Sequence, residues 1–197
     1  MKEIMIATQN KGKVKDFQSL FKKYDIKVTS LLDLTEPVEE VEETGTTFEE
    51  NALLKAETIA NKLNMPVLAD DSGLEIDALE GRPGVYSARY AGEEKNDQKN
   101  LHKVLEELRG VPEDQRSARF VCVLAVSRPN QDPIIRRGTC EGTITEGPIG
   151  DNGFGYDPIF KPENSNLTMA QLTSDQKNLI SHRGNALKKI EDWVKNQ

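Results

Sequence analysis

The sequence has few cysteines, and it lacks the long apolar runs and the signal peptide on which several protein classes depend. It contains two cysteines, Cys122 and Cys140, which lie far apart and outside any CxxC or Cys-His pattern. We therefore expect both thiols to be reduced and structural. No apolar run approaches the length that spans a bilayer, and the first residues lack the apolar region of a signal peptide. We expect a cytoplasmic protein with no membrane association.

Positive charge is also scarce relative to negative charge. The chain has 26 Lys and Arg residues against 33 Asp and Glu residues, which gives a formal net charge of −7. Because nonspecific binding to nucleic acid depends on lysines and arginines that neutralise phosphates, this balance predicts no nucleic-acid partner. It still allows a small phosphate-bearing ligand, since a few local cations or a metal can hold one such molecule.

The composition is that of a globular protein, with 36% hydrophobic and 30% charged residues. Strand and helix patterns alternate through the first half, whereas the middle of the chain has an antiparallel pattern. The segment "ARFVCVLAVS" is apolar on both faces, as a central strand is. Together these patterns predict an α/β fold with a mixed sheet, in a single domain over residues 1–197.

Helix boundaries are also marked in the sequence. Asn10 is suited to cap a first helix, and Thr47 with Glu50 fits a capping box at the start of a second. Apolar spacing predicts a helix over residues 97–109 and one last helix over residues 178–195. The acidic segment before Thr47 is predicted to be a loop.

The segment "PVLADDSGLEI" places two like charges where a buried strand leaves the core. An apolar run over residues 67–69 leads into Asp70 and Asp71, and the following Ser72 and Gly73 predict a turn. A cation would relieve the repulsion, and carboxylate oxygens suit Mg²⁺. The alternative is an Asx-type turn with exposed acids. The Asp-x-Asp spacing of dehalogenase-type phosphatases is absent.

Four further clusters suit nucleotide chemistry, and each has an ordinary structural alternative. The segment "TQNKGK" at residues 8–13 suits phosphate at a helix start, or is a capped helix with solvated lysines. The acids within residues 42–50 form an acidic cluster, whose structural alternative is a solvated loop followed by a first helical turn that favours carboxylates. The segment "GFGYDP" at residues 153–158 presents an aromatic face to a base, or packs it in the core. The segment "SHRG" at residues 181–184 offers donors to a carbonyl-bearing ring, or is a solvated helix face.

The order and spacing of these motifs are more specific than any one of them. The chain resembles the inosine/xanthosine triphosphate pyrophosphatase family, the Ham1-like non-canonical purine NTP pyrophosphatases. The resemblance covers residues 8 to about 190 and is carried by "TQNKGK", "EETGTTFEENALLKA", "ADDSGLEIDALEGRPGVYSARYAG", "DQKNL", "GFGYDPIF" and "SHRGNALKKI". The chain departs from the family at Gln9, where glycine is usual, and at Asp16, where Glu is usual.

This resemblance implies a function, a fold and a set of residues. The implied reaction is Mg²⁺-dependent hydrolysis of ITP, dITP or XTP to the monophosphate and pyrophosphate. The implied fold is two-lobed, with a long mixed β-sheet and a central cleft, in a homodimer. Glu42 and Asp71 are the implied metal ligands, Glu50 a further ligand or outer-shell partner, and Asp71 also the proton acceptor. The residues implied to bind substrate are Thr8, Gln9, Asn10, Lys11, Gly12, Lys13, Ser72, Phe154, Gly155, Tyr156, Asp157, Lys177, His182 and Arg183.

Two alternative functions fit the same motifs. One is a purine-nucleotide-binding sensor without catalysis, and the other is a nucleotide phosphatase that releases orthophosphate. The acids Glu42, Glu50 and Asp71 argue against the sensor, because binding alone does not require a group that activates water.

Overall fold

Strands and α-helices alternate along the chain as far as residue 128 in the computed structural model, which describes residues 2–39 and 41–195. The strands are β1 (Lys2–Ile6), β2 (Ile26–Ser30), β3 (Val67–Ile76), β4 (Ser117–Arg128), β5 (Gln131–Ile144) and β6 (Phe160–Pro162). The α-helices are α1 (Lys11–Lys22), α2 (Phe48–Leu63), α3 (Asp97–Glu107), α4 (Ser174–Ile180), α5 (His182–Lys188) and α6 (Glu191–Lys195). Within these described ranges, no helix is long and apolar enough to cross a membrane.

The strands form one mixed sheet in the order β2-β1-β3-β4-β5-β6. Strand β1 runs parallel to both β2 and β3, with Met5 opposite Thr29 and Val67 in the two pairings. Strand β6 is antiparallel to β5, with Ile144 opposite Phe160. The predicted α/β fold with a mixed sheet is therefore confirmed.

The chain divides into two compact units, as the predicted two-lobed fold requires. Unit 1 consists of the described residues up to Asp71, of Cys122–Gly138, and of those from Arg183 onward. Unit 2 consists of Ser72–Val121 and Thr139–His182. Strands β3, β4 and β5 each contribute residues to both units.

Each unit has its own hydrophobic core. In unit 1, Phe17 and Phe21 of helix α1 share a hydrophobic cluster with Leu124 of β4, and in unit 2, Leu101 of α3 shares one with Phe160. The two cysteines are buried and form no disulfide, as predicted. Burial raises the pKa of the Cys122 thiol far above its ordinary value and that of Cys140 to about 12.

Both predicted helix starts are confirmed. The side chain of Asn10 accepts hydrogen bonds from the N–H groups of Gly12 and Lys13 at 2.9 and 3.1 Å, which caps α1. Thr47 and Glu50 form the capping box of α2, in which each side chain accepts a hydrogen bond from the backbone of the other residue.

Two local predictions are wrong. Strand β3 continues through Ser72 and Gly73 without a turn, because Leu74 and Ile76 are fully buried and their backbone groups need partners that a strand supplies. The single last helix is replaced by α4, α5 and α6. Ser181 ends α4 in an extended conformation (φ −67°, ψ 154°). Apolar spacing does not detect a break of one residue, because the buried positions continue on both sides.

Candidate active site

The two adjacent acids of β3 have different cations as partners. Asp70 Oδ2 lies 3.0 Å from Lys13 Nζ of α1 and 3.5 Å from Arg183 Nη2 of α5. Asp71 Oδ1 lies 3.3 Å from Lys55 Nζ of α2. Since neighbouring residues of a strand point to opposite faces, each carboxylate meets its own cation. The repulsion that the sequence implied is thereby relieved by three helices. These five residues, with Glu43 and Asp16, are called the charge cluster below.

Asp70 and Asp71 also differ in acidity. Burial disfavours ionisation of Asp70, but the charges of Lys13, Arg183 and Lys55 outweigh it and hold the pKa of Asp70 well below its ordinary value. At Asp71 burial prevails over the charges of Lys55 and Lys13, and its pKa is raised. Asp71 Oδ2 is buried and has no hydrogen-bond partner within residues 2–39 and 41–195. Asp70 is thus a fixed counter-ion, whereas Asp71 is suited to accept a proton.

Lys55 is a site residue that the sequence reasoning missed. Its ammonium lies 2.5 Å from Glu43 Oε1 and bridges that acid to Asp71. Burial lowers the pKa of Lys55, but the charges of Asp71, Glu43 and Asp70 outweigh it and raise the pKa above its ordinary value. The sequence feature that indicates its burial is its position seven residues after Phe48, on the apolar face of α2.

The structure brings Glu43 to Lys55 and leaves the side chain of Glu42 exposed. The acidic segment is attached to the start of α2, since Gly45 N–H donates to Asn51 Oδ1 at 2.8 Å. A Cβ at Gly45 would lie 2.6 Å from that oxygen, so only glycine fits there. Glu50 Oε2 accepts hydrogen bonds from the Thr46 and Thr47 N–H groups, at 2.7 and 3.1 Å. The Glu50 carboxylate therefore caps the helix and holds this segment.

The residues of "TQNKGK" lie where β1 passes into α1, as predicted. Thr8 is buried, and its Oγ1 accepts a hydrogen bond from the Asn10 N–H at 3.2 Å. Gln9, one of the two departures from the family pattern, donates from Nε2 to the Val38 carbonyl at 2.9 Å. Its longer side chain therefore attaches the end of β1 to a neighbouring loop. Lys11 is exposed at the start of the helix.

A second polar group lies in unit 2, around the Phe154 loop (residues 153–157). Lys177 Nζ lies 2.8 Å from Asp157 Oδ2 and 5.0 Å from the centroid of the Phe154 ring. The same carboxylate oxygen accepts the Phe154 N–H at 3.0 Å. Gly153 has a φ of +76°, and a Cβ there would collide with Asp157 Oδ2. The loop thus holds an aromatic face beside one buried ion pair.

The remaining predicted residues differ in what they contact. Tyr156 is buried, and its hydroxyl donates to the Ser87 carbonyl at 2.7 Å, so that it anchors the loop. The His182 ring stacks on Phe120, with centroids 4.8 Å apart and an angle of 18° between the rings. Arg183 Nη1 lies 3.1 Å from Asp16 Oδ2, so the shorter acid at this position still reaches the guanidinium. Ser72 is half-buried on β3.

Known proteins resemble this chain over nearly its whole length. Residues 4–193 match the model of the Ham1 family. The chain belongs to the Ham1 family. It is 57% identical over 194 residues to a protein of Oceanobacillus iheyensis named dITP/XTP pyrophosphatase, and the match covers 98% of each chain. A protein of the same name from Bacillus subtilis is 57% identical over 192 residues, covering 96% of each chain.

Solved structures of the Ham1 family have the same fold. The Ham1 protein of Staphylococcus aureus is similar with a TM-score of 0.85 at 48% identity, over 99% of each chain. A protein of Mycobacterium abscessus titled nucleoside-triphosphatase and dITP/XTP pyrophosphatase is similar with a TM-score of 0.75 at 39% identity, over 95% of this chain and 98% of that one. The resemblance carried by the sequence motifs is therefore confirmed.

The acids of this Ham1 family member fit a magnesium ion. The described part of the chain contains no group of three His, Cys, Asp or Glu side chains arranged to hold a metal. Mg²⁺ is usually bound through one or two carboxylates together with water and substrate phosphates, so three are not required. The buried Oδ2 of Asp71 is an oxygen donor of the right kind. Moreover, the charge cluster holds three cations against four carboxylates, and a polyanionic substrate needs further positive charge there.

Proposed function

We propose that this chain is a Mg²⁺-dependent pyrophosphatase that hydrolyses dITP, XTP and ITP to the nucleoside monophosphate and pyrophosphate, and so removes them from the nucleotide pool. The observation that carries the proposal is Asp71, a buried carboxylate with a raised pKa that pairs with Lys55 through one oxygen and keeps the other open. The name that the two relatives share, dITP/XTP pyrophosphatase, supports the choice of substrate.

Asp71 orients a water and takes its proton as the water attacks the α-phosphorus. Lys55 holds the Asp71 carboxylate through Oδ1, which leaves Oδ2 available for this role. Lys13 and the positive end of α1 stabilise the pyrophosphate that leaves. Asp70 keeps Lys13 and Arg183 in place as an ionised counter-ion.

The residues that would hold Mg²⁺ are Asp71 and Glu42, and Glu43 is the acid that the structure places beside Asp71 across Lys55. Bound Mg²⁺ supplies positive charge at the phosphate oxygens and lowers the pKa of a bound water. The hydrogen bonds of Glu50 and Asn51 to residues 45–47 keep the acidic segment in position for this ligand set.

Recognition of the base belongs to the Phe154 loop, Lys177, His182 and Arg183. The Phe154 face stacks on the purine, because aromatic rings stack on any base. His182 and Arg183 donate to the 6-keto oxygen of hypoxanthine or xanthine. Adenine carries an amino donor at that position and would leave a buried donor unpaired. Such a mismatch costs about 1–3 kcal/mol, or roughly 10- to 100-fold in selectivity against ATP.

One assay tests the proposal against its alternatives. The purified protein is incubated with dITP, XTP, GTP and ATP in Mg²⁺, and the products are identified by chromatography. We expect monophosphate and pyrophosphate from dITP and XTP, no turnover after EDTA treatment, and recovery on addition of Mg²⁺. Diphosphate with orthophosphate would indicate a phosphatase instead, and binding without products would indicate a sensor.

The proposal also includes the homodimer that the resemblance implies, and the single domain and cytoplasmic location that the sequence predicts. Light scattering coupled to size-exclusion chromatography is expected to give twice the chain mass of 22.0 kDa. A mass of 22.0 kDa would contradict the dimer. Fractionation of cells that express the chain is expected to recover it with the cytosolic proteins.

A further inference from the structure

The Phe154 loop is held by carboxylates at two successive backbone amides. The Phe154 N–H donates to Asp157 Oδ2 at 3.0 Å, and the Gly155 N–H donates to Asp97 Oδ2 at 2.9 Å. Asp97 lies at the start of α3, 58 residues before Gly155 in the chain. Gly155 has a φ of +59°, so the direction of its N–H, and of the neighbouring Phe154 ring, depends on a backbone conformation that favours glycine.

Capping of α3 does not account for Asp97. Asn96 is the N-cap residue, and its Oδ1 accepts the Lys99 N–H at 3.0 Å. The Asp97 Oδ2 atom is directed instead to the amide of a remote loop. On the same helix, Asn100 binds two backbone groups of another loop, at Ala88 and Ala91. The segment "DQKNL" therefore serves to fix loops of unit 2.

We propose that Asp97 is a positioning residue for nucleoside recognition, which acts through the Gly155 N–H to hold the Phe154 ring where it stacks on the purine. This inference rests on the proposed function, because it needs a nucleotide that binds at Phe154. Asp97 is not part of the charge cluster, so its loss should affect binding of the base and leave the chemical step intact. A hydrogen bond to an ionised group is among the stronger ones in proteins, and its loss is worth roughly tenfold or more.

Three variants test this role. Asp97→Ala removes the acceptor, and Asp97→Asn keeps an acceptor oxygen. Asn96→Ala removes the cap of the same helix and leaves the Asp97 acceptor in place. We expect Asp97→Ala to raise the KM for dITP about tenfold while kcat stays within twofold. Asp97→Asn should recover most of that loss. Asn96→Ala should lower the Tm and leave the KM unchanged, and inhibition by tripolyphosphate should be the same in all three.

Two outcomes would overturn the proposal. One is an unchanged KM in Asp97→Ala, and the other is an equal rise of KM in Asn96→Ala, which would make the effect one of helix stability. Hydrogen exchange at the Gly155 amide, measured without nucleotide, is expected to be at least about tenfold faster in Asp97→Ala than in Asn96→Ala. If the wild-type protein does not hydrolyse dITP, the proposed function fails, and the exchange rate alone decides whether Asp97 holds the loop.

Discussion

The charge cluster of unit 1 and the Phe154 loop of unit 2 differ in the kind of polar contact that they contain. In the charge cluster, charged side chains pair with one another, and Asp70 by itself pairs with both Lys13 and Arg183. Around the Phe154 loop, carboxylates bind backbone N–H groups, and the ion pair of Asp157 and Lys177 lies beside an aromatic ring.

This difference matches the chemistry of a nucleotide. Phosphates carry charge and require several cations that are fixed by counter-ions, because an unpaired buried charge is costly. A purine base carries little charge and requires a flat apolar surface with hydrogen-bonding groups at its edge. Substitutions in the two regions should therefore affect different measurable quantities.

The largest effect is expected from Asp71→Asn in the charge cluster. The amide cannot take a proton from water, so kcat for dITP should fall by about 10²- to 10⁴-fold. Binding of dITP, measured by calorimetry, should be largely retained. Near-normal turnover would show that Asp71 is not the proton acceptor, and the proposed difference in role between Asp70 and Asp71 would then fall.

Lys55→Met should have the largest effect on stability. It leaves Glu43 and Asp71 without their shared cation, which typically costs about 3–5 kcal/mol for a buried pair. The free energy of unfolding in urea is the measurement. The control is Lys99→Met, which breaks the exposed pair with Glu94 and should cost less than about 1 kcal/mol. Equal losses in the two variants would show that the charge cluster behaves as a solvated surface.

Arg183→Ala tests the one residue that belongs to both sides of this comparison. Arg183 is assigned to recognition of the base, yet it pairs with acids of the charge cluster. Loss of a donor to the 6-keto oxygen should narrow the preference for dITP over dATP by roughly 10- to 100-fold. Competition kinetics with the two nucleotides measures this ratio. Lys188→Ala, on the same helix, should leave it unchanged. A preserved ratio in Arg183→Ala would assign Arg183 to the charge cluster alone.

The smallest effect is expected at Glu50, which holds the acidic segment of unit 1 much as Asp97 holds the Phe154 loop. Hydrogen bonds from Thr46 and Thr47 lower the pKa of Glu50 below its ordinary value of 4.5. Its contribution to stability is therefore fully present above pH 4.5 and is lost as the pH falls through the lowered pKa of the folded protein. Urea unfolding of Glu50→Gln and wild type should show a gap at pH 7 that closes in acid. A gap independent of pH would contradict this.

The sequence predicted the parts of the structure that depend on local rules. The cap at Asn10, the box of Thr47 and Glu50, and the mixed sheet follow from capping chemistry and hydrophobic periodicity. The turn predicted at Ser72 and Gly73 was wrong because burial of the residues that follow keeps the strand paired. Hydrophobic periodicity does not show which backbone groups must stay paired in the folded protein.

The site was less accessible to sequence reasoning. Lys55 was missed because a lysine among the apolar positions of a helix carries no motif of its own, and its two acids are 12 and 16 residues away. The choice between Glu42 and Glu43 depends on the course of a loop without regular structure. In the folded protein this loop is attached to α2 by the bond from Gly45 to Asn51 and by the cap at Glu50, and Glu43 is the acid that contacts Lys55.

Burial of both native thiols makes the chain convenient for site-specific labelling. Cys122 is fully buried and Cys140 is 7% exposed, and the raised pKa of each keeps the reactive thiolate scarce near neutral pH. A cysteine placed at Leu179, which is 71% exposed on α4, would then react with a maleimide dye while the native thiols stay protected. The dye would lie two residues from Lys177, so its emission could follow nucleotide binding with no other change to the protein.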